Sequence, residues 1–308
     1  MISKTSIKVA FVNNWGQSPS EYFNNIKNQT PGSTGRWGMI QGVSSVDEAD
    51  CIVAFDGSSA NLCPKINKTQ KVILVQREPD HVYPFVQHFQ VDKVFAYNDN
   101  QYPPHCRWGL AYNYDELKSL KYPDSKNKDR ATCVMSGKSF THGQKLRLNF
   151  LFHAVQAYSS KIDVYSSSLN SKDFDASYRG SVPVSRPAIQ GLNSGTCQFG
   201  ALYPYEKSIS LENGGLRNFV TRTTEAVLCW TLPMYWGCPN IEDFFNGGYR
   251  LLSIENLNLA CEQFIDVMNE PITSSVIDEI NEARNKVLDE YNVWAVTEKM
   301  VIDVMDSQ

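Results

Sequence analysis

The fold is decided by residues 205–245, which read YEKSISLENGGLRNFVTRTTEAVLCWTLPMYWGCPNIEDFF. An apolar run predicts a strand, and a polar turn containing Gly214-Gly215 follows it. A helical segment then leads to a second strand that ends at Trp236-Gly237. A strand–loop–helix–strand unit of this kind is typical of an α/β fold.

The polar loop of this unit is the first candidate binding site. Glu212, Asn213, Arg222 and Glu225 lie in the loop or at the start of the predicted helix. The first N–H groups of a helix lack helical partners and carry a partial positive charge. A phosphate group is therefore the ligand that we expect at this helix start.

The composition is ordinary for a soluble globular protein. The chain has 308 residues, of which 42% are apolar and 20% charged, and its net charge is −4. It has room for two domains and shows no basic surplus for nucleic acid. Its eight cysteines are scattered, which predicts reduced, buried thiols and no metal site. With neither a signal peptide nor a membrane span in the sequence, we expect a cytoplasmic protein.

The first third of the chain predicts a parallel sheet. Its short apolar runs do not alternate with polar residues, and they are spaced widely enough for crossover connections. The predicted strands are Ile7–Val12, Cys51–Phe55, Val72–Gln76 and Lys93–Tyr97. The polar, lysine-rich stretch Tyr112–Lys128 is the predicted linker to the next domain.

A second α/β unit begins at Arg130–Gly137 and continues with a helix at Gly143–Tyr158 and a strand at Ile162–Tyr165. The Ser-, Gly- and Pro-rich stretch 166–196 predicts an extended loop. Apolar residues at helical spacing in 276–302 indicate a helix that packs on the core or, alternatively, binds a partner. The predicted domains are residues 1–125, residues 126–285 and a closing C-terminal helix at 286–308.

Residues 205–241 resemble the signature of the α1,3-fucosyltransferase family, glycosyltransferase family 10. That signature reads roughly Y-K-F-x-x-x-x-E-N, then Y-x-T-E-K, then P-I-Y-W-G-x-P. The resemblance is strong over 130–245 and faint over 70–112. It implies the GT-B architecture, in which two Rossmann-like domains enclose a cleft. Golgi members begin with a membrane anchor, which we do not find here, so we expect the soluble bacterial or viral kind.

The candidate for the catalytic base follows the predicted strand that ends at Gln76, where the chain reads Arg77-Glu78-Pro79. A carboxylate at the carboxyl end of a parallel strand faces the crevice where such sheets bind ligands. The segment is similar to the family's strand–Glu–Pro element, and the resemblance implies that Glu78 is the general base. Its neighbours Asp80 and His81 are the alternatives.

A candidate phosphate site follows the strand that begins the second unit. Ser136 and Gly137 end this strand, and Arg147 lies on the helix after it. An arginine presents a planar fork of donors that suits a diphosphate. The family has Ser-Asn and then Arg-x-x-Phe at this place, so the resemblance implies that these three residues bind the donor.

The signature supplies the remaining candidates. Tyr205, Glu212 and Asn213 match its Y and E-N positions, and the resemblance implies that they bind the donor. Where the family has Glu-Lys, the chain has Arg222-Thr223, with Glu225 after them. We infer that Arg222 supplies the missing positive charge and Glu225 the missing carboxylate. Because this pair contacts the donor in the family, the change leaves the donor open.

Together these motifs imply an inverting, metal-independent glycosyltransferase without a cofactor. It would transfer L-fucose from GDP-fucose to a hydroxyl of a glycan acceptor. Two alternatives stay open: the same fold with another GDP- or UDP-sugar, and a catalytically inactive glycan-binding protein.

Overall fold

The structure of the protein is a computed structural model that describes residues 6–13, 16–56, 69–76, 91–96, 112–183 and 198–306. Within these residues the chain forms two six-stranded sheets, the first from residues 7–96 and the second from residues 131–251. Each sheet has its own apolar core. The fold is α/β, as predicted.

The first sheet has the strand order β2-β3-β1-β4-β5-β6 and is parallel except for the β2–β3 hairpin. Its central strands are buried along most of their length, which is why they lack polar alternation. The bounds are β1 Ile7–Asn13, β2 Arg36–Trp37, β3 Ile40–Val43, β4 Cys51–Phe55, β5 Lys71–Gln76 and β6 Lys93–Ala96, with helix α1 at Pro19–Ile26.

The second sheet is wholly parallel and has the order β12-β11-β10-β7-β8-β9. Its strands are β7 Ala131–Val134, β8 Ile162–Tyr165, β9 Tyr178–Gly180, β10 Lys207–Leu211, β11 Leu232–Trp236 and β12 Arg250–Leu251. The helices are α2 Tyr114–Ser119, α3 His142–Tyr158, α4 Phe199–Leu202, α5 Arg222–Leu228, α6 Leu257–Asn269, α7 Ser274–Asp289 and α8 Val293–Asp306. Strand β9 lies within the stretch that the sequence predicted as a loop.

The order in which the strands of the second sheet are connected reverses between the neighbouring strands β7 and β10. From β7 the chain passes through α3 to β8 on one side, and from β10 it passes through α5 to β11 on the other side. The loops after β7 and β10 therefore lead away from each other at the carboxyl edge. This divergence opens a crevice, which is where parallel sheets bind their ligands.

The last helix, α8, returns to the first sheet. Its Trp294 is fully buried, lies 5.0 Å from the Phe11 ring and donates from Nε1 to the Ile26 carbonyl at 2.8 Å. Asn292 breaks the helical stretch, because its Oδ1 accepts from Trp294 N and Ala295 N and so caps α8. The apolar stripe of α7 and α8 is core packing, and two Rossmann-like units with a returning helix form the expected GT-B architecture.

The predicted linker is a packed segment that contains α2. Tyr112 stacks on Phe199 with ring centres 4.1 Å apart, and Tyr114 Oη donates to Asp289 at 2.7 Å. Asp115 accepts from the Gly32 N–H at 2.7 Å. The segment is therefore fixed to the helices of the second unit and also bonded to the first.

Two further expectations concern cysteines and membranes. The described cysteines are buried and form no disulfide: Cys51, Cys133, Cys229, Cys238 and Cys261. Among the residues that the structure describes, no helix is long and apolar enough to cross a membrane.

Candidate active site

Two loops meet at the crevice of the second sheet. Ser136 and Gly137 follow β7, and Glu212 and Asn213 follow its neighbour β10. The Gly137 N–H donates to Ser168 Oγ, in the loop after β8, at 2.9 Å. The carboxyl ends of three adjacent strands thus surround this place.

The start of α3 is fixed against the loop after β10. Thr141 and Gln144 form a capping box, and Thr141 Oγ1 donates to the Asn213 carbonyl at 3.2 Å. A Cβ added at Gly143 would lie only 2.4 Å from that same carbonyl oxygen. Glycine is therefore required here by the close approach of helix and loop, and the approach holds α3 in place.

Arg147 points from α3 into the protein beneath this loop. Its side chain is 1% exposed, and Nη2 lies 3.2 Å from Ser136 Oγ and 3.5 Å from the Ser136 carbonyl oxygen. Nε is buried and has no hydrogen-bond partner among the described residues. Burial and the nearby charge of Arg222 lower the pKa of the Arg147 guanidinium to about 10. The charge of Glu212 acts in the opposite direction, but it does not cancel the lowering of the pKa.

Arg222 is the first residue of α5 and half-buried. It lines a small pocket whose other walls are Val134, Gln198, Leu202, Ile209, Ser210 and Leu211. Within the described part of the chain, no carboxylate forms an ion pair with either Arg147 or Arg222. Two guanidinium groups of like charge therefore share this corner of the crevice.

Glu212 holds the start of α5. Its carboxylate is fully buried and accepts from Thr221 N at 2.6 Å, Thr221 Oγ1 at 2.6 Å and Arg222 N at 2.8 Å. Burial raises the pKa of Glu212, while these hydrogen bonds and the charge of Arg222 oppose that effect. Glu212 thus occupies the N–H groups of Thr221 and Arg222 at the helix start where the sequence predicted a phosphate, and the phosphate itself stays a prediction.

The Tyr-Trp-Gly motif at the end of β11 shapes the space that Glu212 fills. Glu212 N donates to the Trp236 carbonyl at 3.0 Å, and a Cβ on Gly237 would lie 2.3 Å from Glu212 Cγ. Tyr235 Oη accepts from Cys238 N at 2.8 Å, which closes the turn. The motif therefore acts on the site through Glu212.

Of the other signature residues, two lie near this corner and one does not. Asn213 is half-buried, and its buried Oδ1 has no partner among the described residues. Glu225 is half-buried on the first turn of α5. Tyr205 precedes the amino end of β10, at the opposite edge of the sheet, where its hydroxyl donates to Asp163 at 2.8 Å and meets Tyr165 Oη at 2.9 Å. The structure therefore brings Tyr205 into a separate buried network.

The candidates for the general base, Glu78 with Asp80 and His81, lie outside the described residues. Strand β5 ends at Gln76, two positions before Glu78 in the sequence. In the parts of the chain that the structure describes, no cluster of His, Cys, Asp and Glu has the arrangement of a metal site.

Sequence reasoning missed Thr221 and Gln198. Thr221 binds both oxygens of Glu212 through its N–H and hydroxyl, and its place just before a helix was a detectable signal. Gln198 lines the pocket with Arg222. No sequence pattern pointed to it.

Comparison with known proteins gives likenesses of fold. No family model and no curated protein matches the sequence. A crystal structure of an α1,3-fucosyltransferase has 15% identity and a TM-score of 0.48, with 91% of this chain and 82% of that chain covered. One with GDP has 15% identity, coverage of 95% and 93%, and a TM-score of 0.45. A glycosyltransferase of kitacinnamycin has 7% identity, coverage of 97% and 99%, and a TM-score of 0.47. All these TM-scores lie below 0.5, so the proposals below rest on this chain's own residues.

Proposed function

We propose that the protein is a glycosyltransferase whose donor is a nucleoside diphosphate sugar, with GDP-fucose as the first candidate and a glycan hydroxyl as the acceptor. The observation that carries the proposal is the pair Arg147 and Arg222. Both lie where the chain diverges at the carboxyl edge of the second sheet, and neither has an ion-pair partner among the described residues.

Placing Arg147 and Arg222 together costs folding free energy unless an anion binds. A buried charge without a partner costs several kcal/mol, and Arg147 is buried beside a second positive charge. An anion that bears two or more negative charges would offset both costs. A diphosphate has this charge, and guanidinium groups bind phosphate oxygens in a planar, two-donor geometry.

Two other arginines of the same unit, one buried and one half-buried, show what a structural role looks like. Arg284 is 2% exposed, donates to the Leu117 carbonyl at 2.6 Å and lies 4.1 Å from the centre of the Trp230 ring. Arg130 pairs with Asp163 at 2.8 Å. Among the described residues, Arg147 has only two long hydrogen bonds, both to Ser136, so its own polar contacts do not account for its burial.

The arrangement suits the transfer of a sugar with inversion. The acceptor hydroxyl forms a bond to the anomeric carbon, the bond from that carbon to the diphosphate oxygen breaks, and the electron pair leaves with the nucleoside diphosphate. Arg147 and Arg222 would stabilise the negative charge that develops on the leaving group. Glu78, which the resemblance to the fucosyltransferase family implies as the base, would take the hydroxyl proton. In this mechanism the chain needs no metal or cofactor.

The choice of donor depends on the signature residues. The family's motif around Glu212 and Tyr235 favours GDP-fucose, whereas Arg222-Thr223 in place of Glu-Lys keeps other GDP- and UDP-sugars in consideration. Glu212 and Gly237 would position Arg222, and Asn213 would accept from the donor through Oδ1. Tyr205 has no part in this version of the site, because its hydroxyl is engaged at the opposite edge.

The first test is stabilisation by nucleotides. A ligand at a hundredfold excess over its Kd stabilises the folded protein by about 2.7 kcal/mol, so GDP should raise the melting temperature clearly. UDP should raise it less if the donor carries guanine. Arg147→Met and Arg222→Met should each lose most of the GDP effect.

The matched control is Arg217→Met. Arg217 lies in the same loop, but its side chain is 59% exposed and 3.7 Å from Asp243, so its loss should leave the GDP effect intact. Release of sugar from GDP-fucose by the wild type, and its absence in Glu78→Gln, would then establish turnover. A protein that binds GDP but never turns over would instead be the inactive glycan-binding form, and one that binds no nucleotide would contradict the proposal.

A further inference from the structure

Lys126 reaches the far end of the short helix that carries Arg222. It lies between α2 and β7, and its Nζ points at the turn between α5 and β11. Four oxygen atoms lie within 3.0 Å of Nζ: the carbonyls of Tyr205 at 2.8 Å, Cys229 at 3.0 Å and Trp230 at 2.8 Å, and Thr231 Oγ1 at 3.0 Å.

These contacts fix the turn that ends α5. The carbonyls of the last turn of α5 accept from the N–H groups of residues 229–231, and Lys126 binds the next two carbonyls, those of Cys229 and Trp230. An ammonium group satisfies them and interacts favourably with the negative end of the helix dipole. The rings of Tyr122 and Tyr203 lie 5.8 and 5.5 Å from Nζ, which screens this contact from water.

The opposite end of α5 is also fixed by a single charged side chain. Glu212 binds the N–H groups of Thr221 and Arg222, so a negative group lies at the start of the helix and a positive group at its end. The helix has seven residues, which is about 10 Å. Most of its residues are fully buried, so α5 is packed as one short rigid body, and a shift at one end is transmitted to the other.

We infer that Lys126 is a positioning residue for Arg222 and acts on the donor site through α5. The inference rests on the function proposed above. Removal of the ammonium takes away the donor that the Cys229 and Trp230 carbonyls share. The end of α5 then shifts, and the Arg222 guanidinium moves relative to Arg147, whose place is fixed by α3.

Lys207 provides a matched comparison. It is also buried, and its Nζ donates to the carbonyls of Met268 at 3.0 Å and Glu270 at 2.7 Å, at the end of α6. No candidate site residue lies on α6. Lys126 and Lys207 thus perform the same local task on two helices, of which only α5 carries part of the site.

The experiment is a double-mutant cycle on GDP affinity, measured by titration calorimetry at a pH below about 7, where Lys126 carries its proton. Lys126→Met and Lys207→Met are made in the wild type and in Arg222→Met. We expect Lys126→Met to weaken GDP binding about tenfold in the wild type and to have little further effect once Arg222 is gone. Lys207→Met should leave the affinity unchanged in both backgrounds.

Equal weakening in both backgrounds, or none in the wild type, would overturn the inference while the proposed function stands. If Lys126→Met fails to fold, Lys126→Gln is measured in its place and judged by the same coupling. If the wild type binds neither GDP nor pyrophosphate, the proposed function fails and this inference fails with it.

Discussion

The buried and half-buried arginines of the second unit differ in what they contact. Arg284 and Arg130 donate to carbonyl and carboxylate oxygens at 2.5–2.8 Å, and these bonds offset the cost of burial. Arg147 has no contact shorter than 3.2 Å among its described partners. A residue that weakens the fold in order to bind a ligand should be replaceable with a gain in stability.

Arg147→Met tests this at a single position. Methionine fills a similar volume without the charge, so we expect the free energy of unfolding to rise by about 1–2 kcal/mol. The same variant should lose the stabilisation by GDP. Urea unfolding with and without GDP measures both effects. Arg284→Met should lower the free energy of unfolding, because it leaves the Leu117 carbonyl without its donor and Trp230 without its cation. A similar fall in the free energy of unfolding of Arg147→Met would make Arg147 a structural residue.

Single residues also mark the limit of what the sequence could predict. Ser136 and Arg147 could be named because each follows a strand at a readable spacing. The role of Glu212 could not, since its partners Thr221 and Arg222 lie nine and ten residues later and only the fold brings them back. Tyr205 matched the signature, yet its hydroxyl belongs to Asp163 and Tyr165, which no local pattern could indicate.

Among the elements, the contact of α3 with the loop after β10 decides the shape of the crevice. Glycine in a helix is normally about 1 kcal/mol less stable than alanine. At Gly143 the sign should reverse, because an added Cβ would lie 2.4 Å from the Asn213 carbonyl oxygen and 2.6 Å from Gly214 Cα. We expect Gly143→Ala to lower both the free energy of unfolding and the affinity for GDP.

Thermal unfolding and GDP titration measure this effect. Gly214→Ala is the control, because the nearest atom to its Cβ would be Leu216 Cγ at 3.8 Å. If Gly143→Ala stabilised the protein as alanine does in an ordinary helix, the helix and loop would not be in this close contact.

The end of α5 makes a second prediction, on pH dependence. Burial lowers the pKa of Lys126 to about 7, whereas in the unfolded chain it lies near 10.4. Between these values the unfolded chain binds the extra proton, so the free energy of unfolding should rise with pH above about 7. Below about 7 this contribution is lost. Urea unfolding across this range should show the rise in the wild type and a smaller one in Lys126→Met; equal curves would contradict the burial of the amine.

For the molecule as a whole, the two sheets could be predicted from the sequence, whereas the packing of the segment between them could not. Buried strands such as β4 and β5 show as uninterrupted apolar runs, so four strands of the first sheet could be read from the sequence. The two-residue strand β2 is too short to leave a pattern. The segment 112–128 is polar along its length, but its side chains bind Asp289 and Gly32, and a polar composition cannot distinguish such packing from a linker.

The division into two units predicts that they can be weakened separately. Trp294 is fully buried in the core of the first sheet, and Trp294→Ala should cost about 3–5 kcal/mol there. Arg147 and Arg222 belong to the second unit. This variant should therefore still be stabilised by GDP, while its first unit unfolds at a lower temperature. Phe264→Ala, in the core of the second sheet, should lower the melting temperature and the GDP effect together. Calorimetric scans with and without GDP measure both, and loss of the GDP effect in Trp294→Ala would mean that the first unit supplies essential donor contacts.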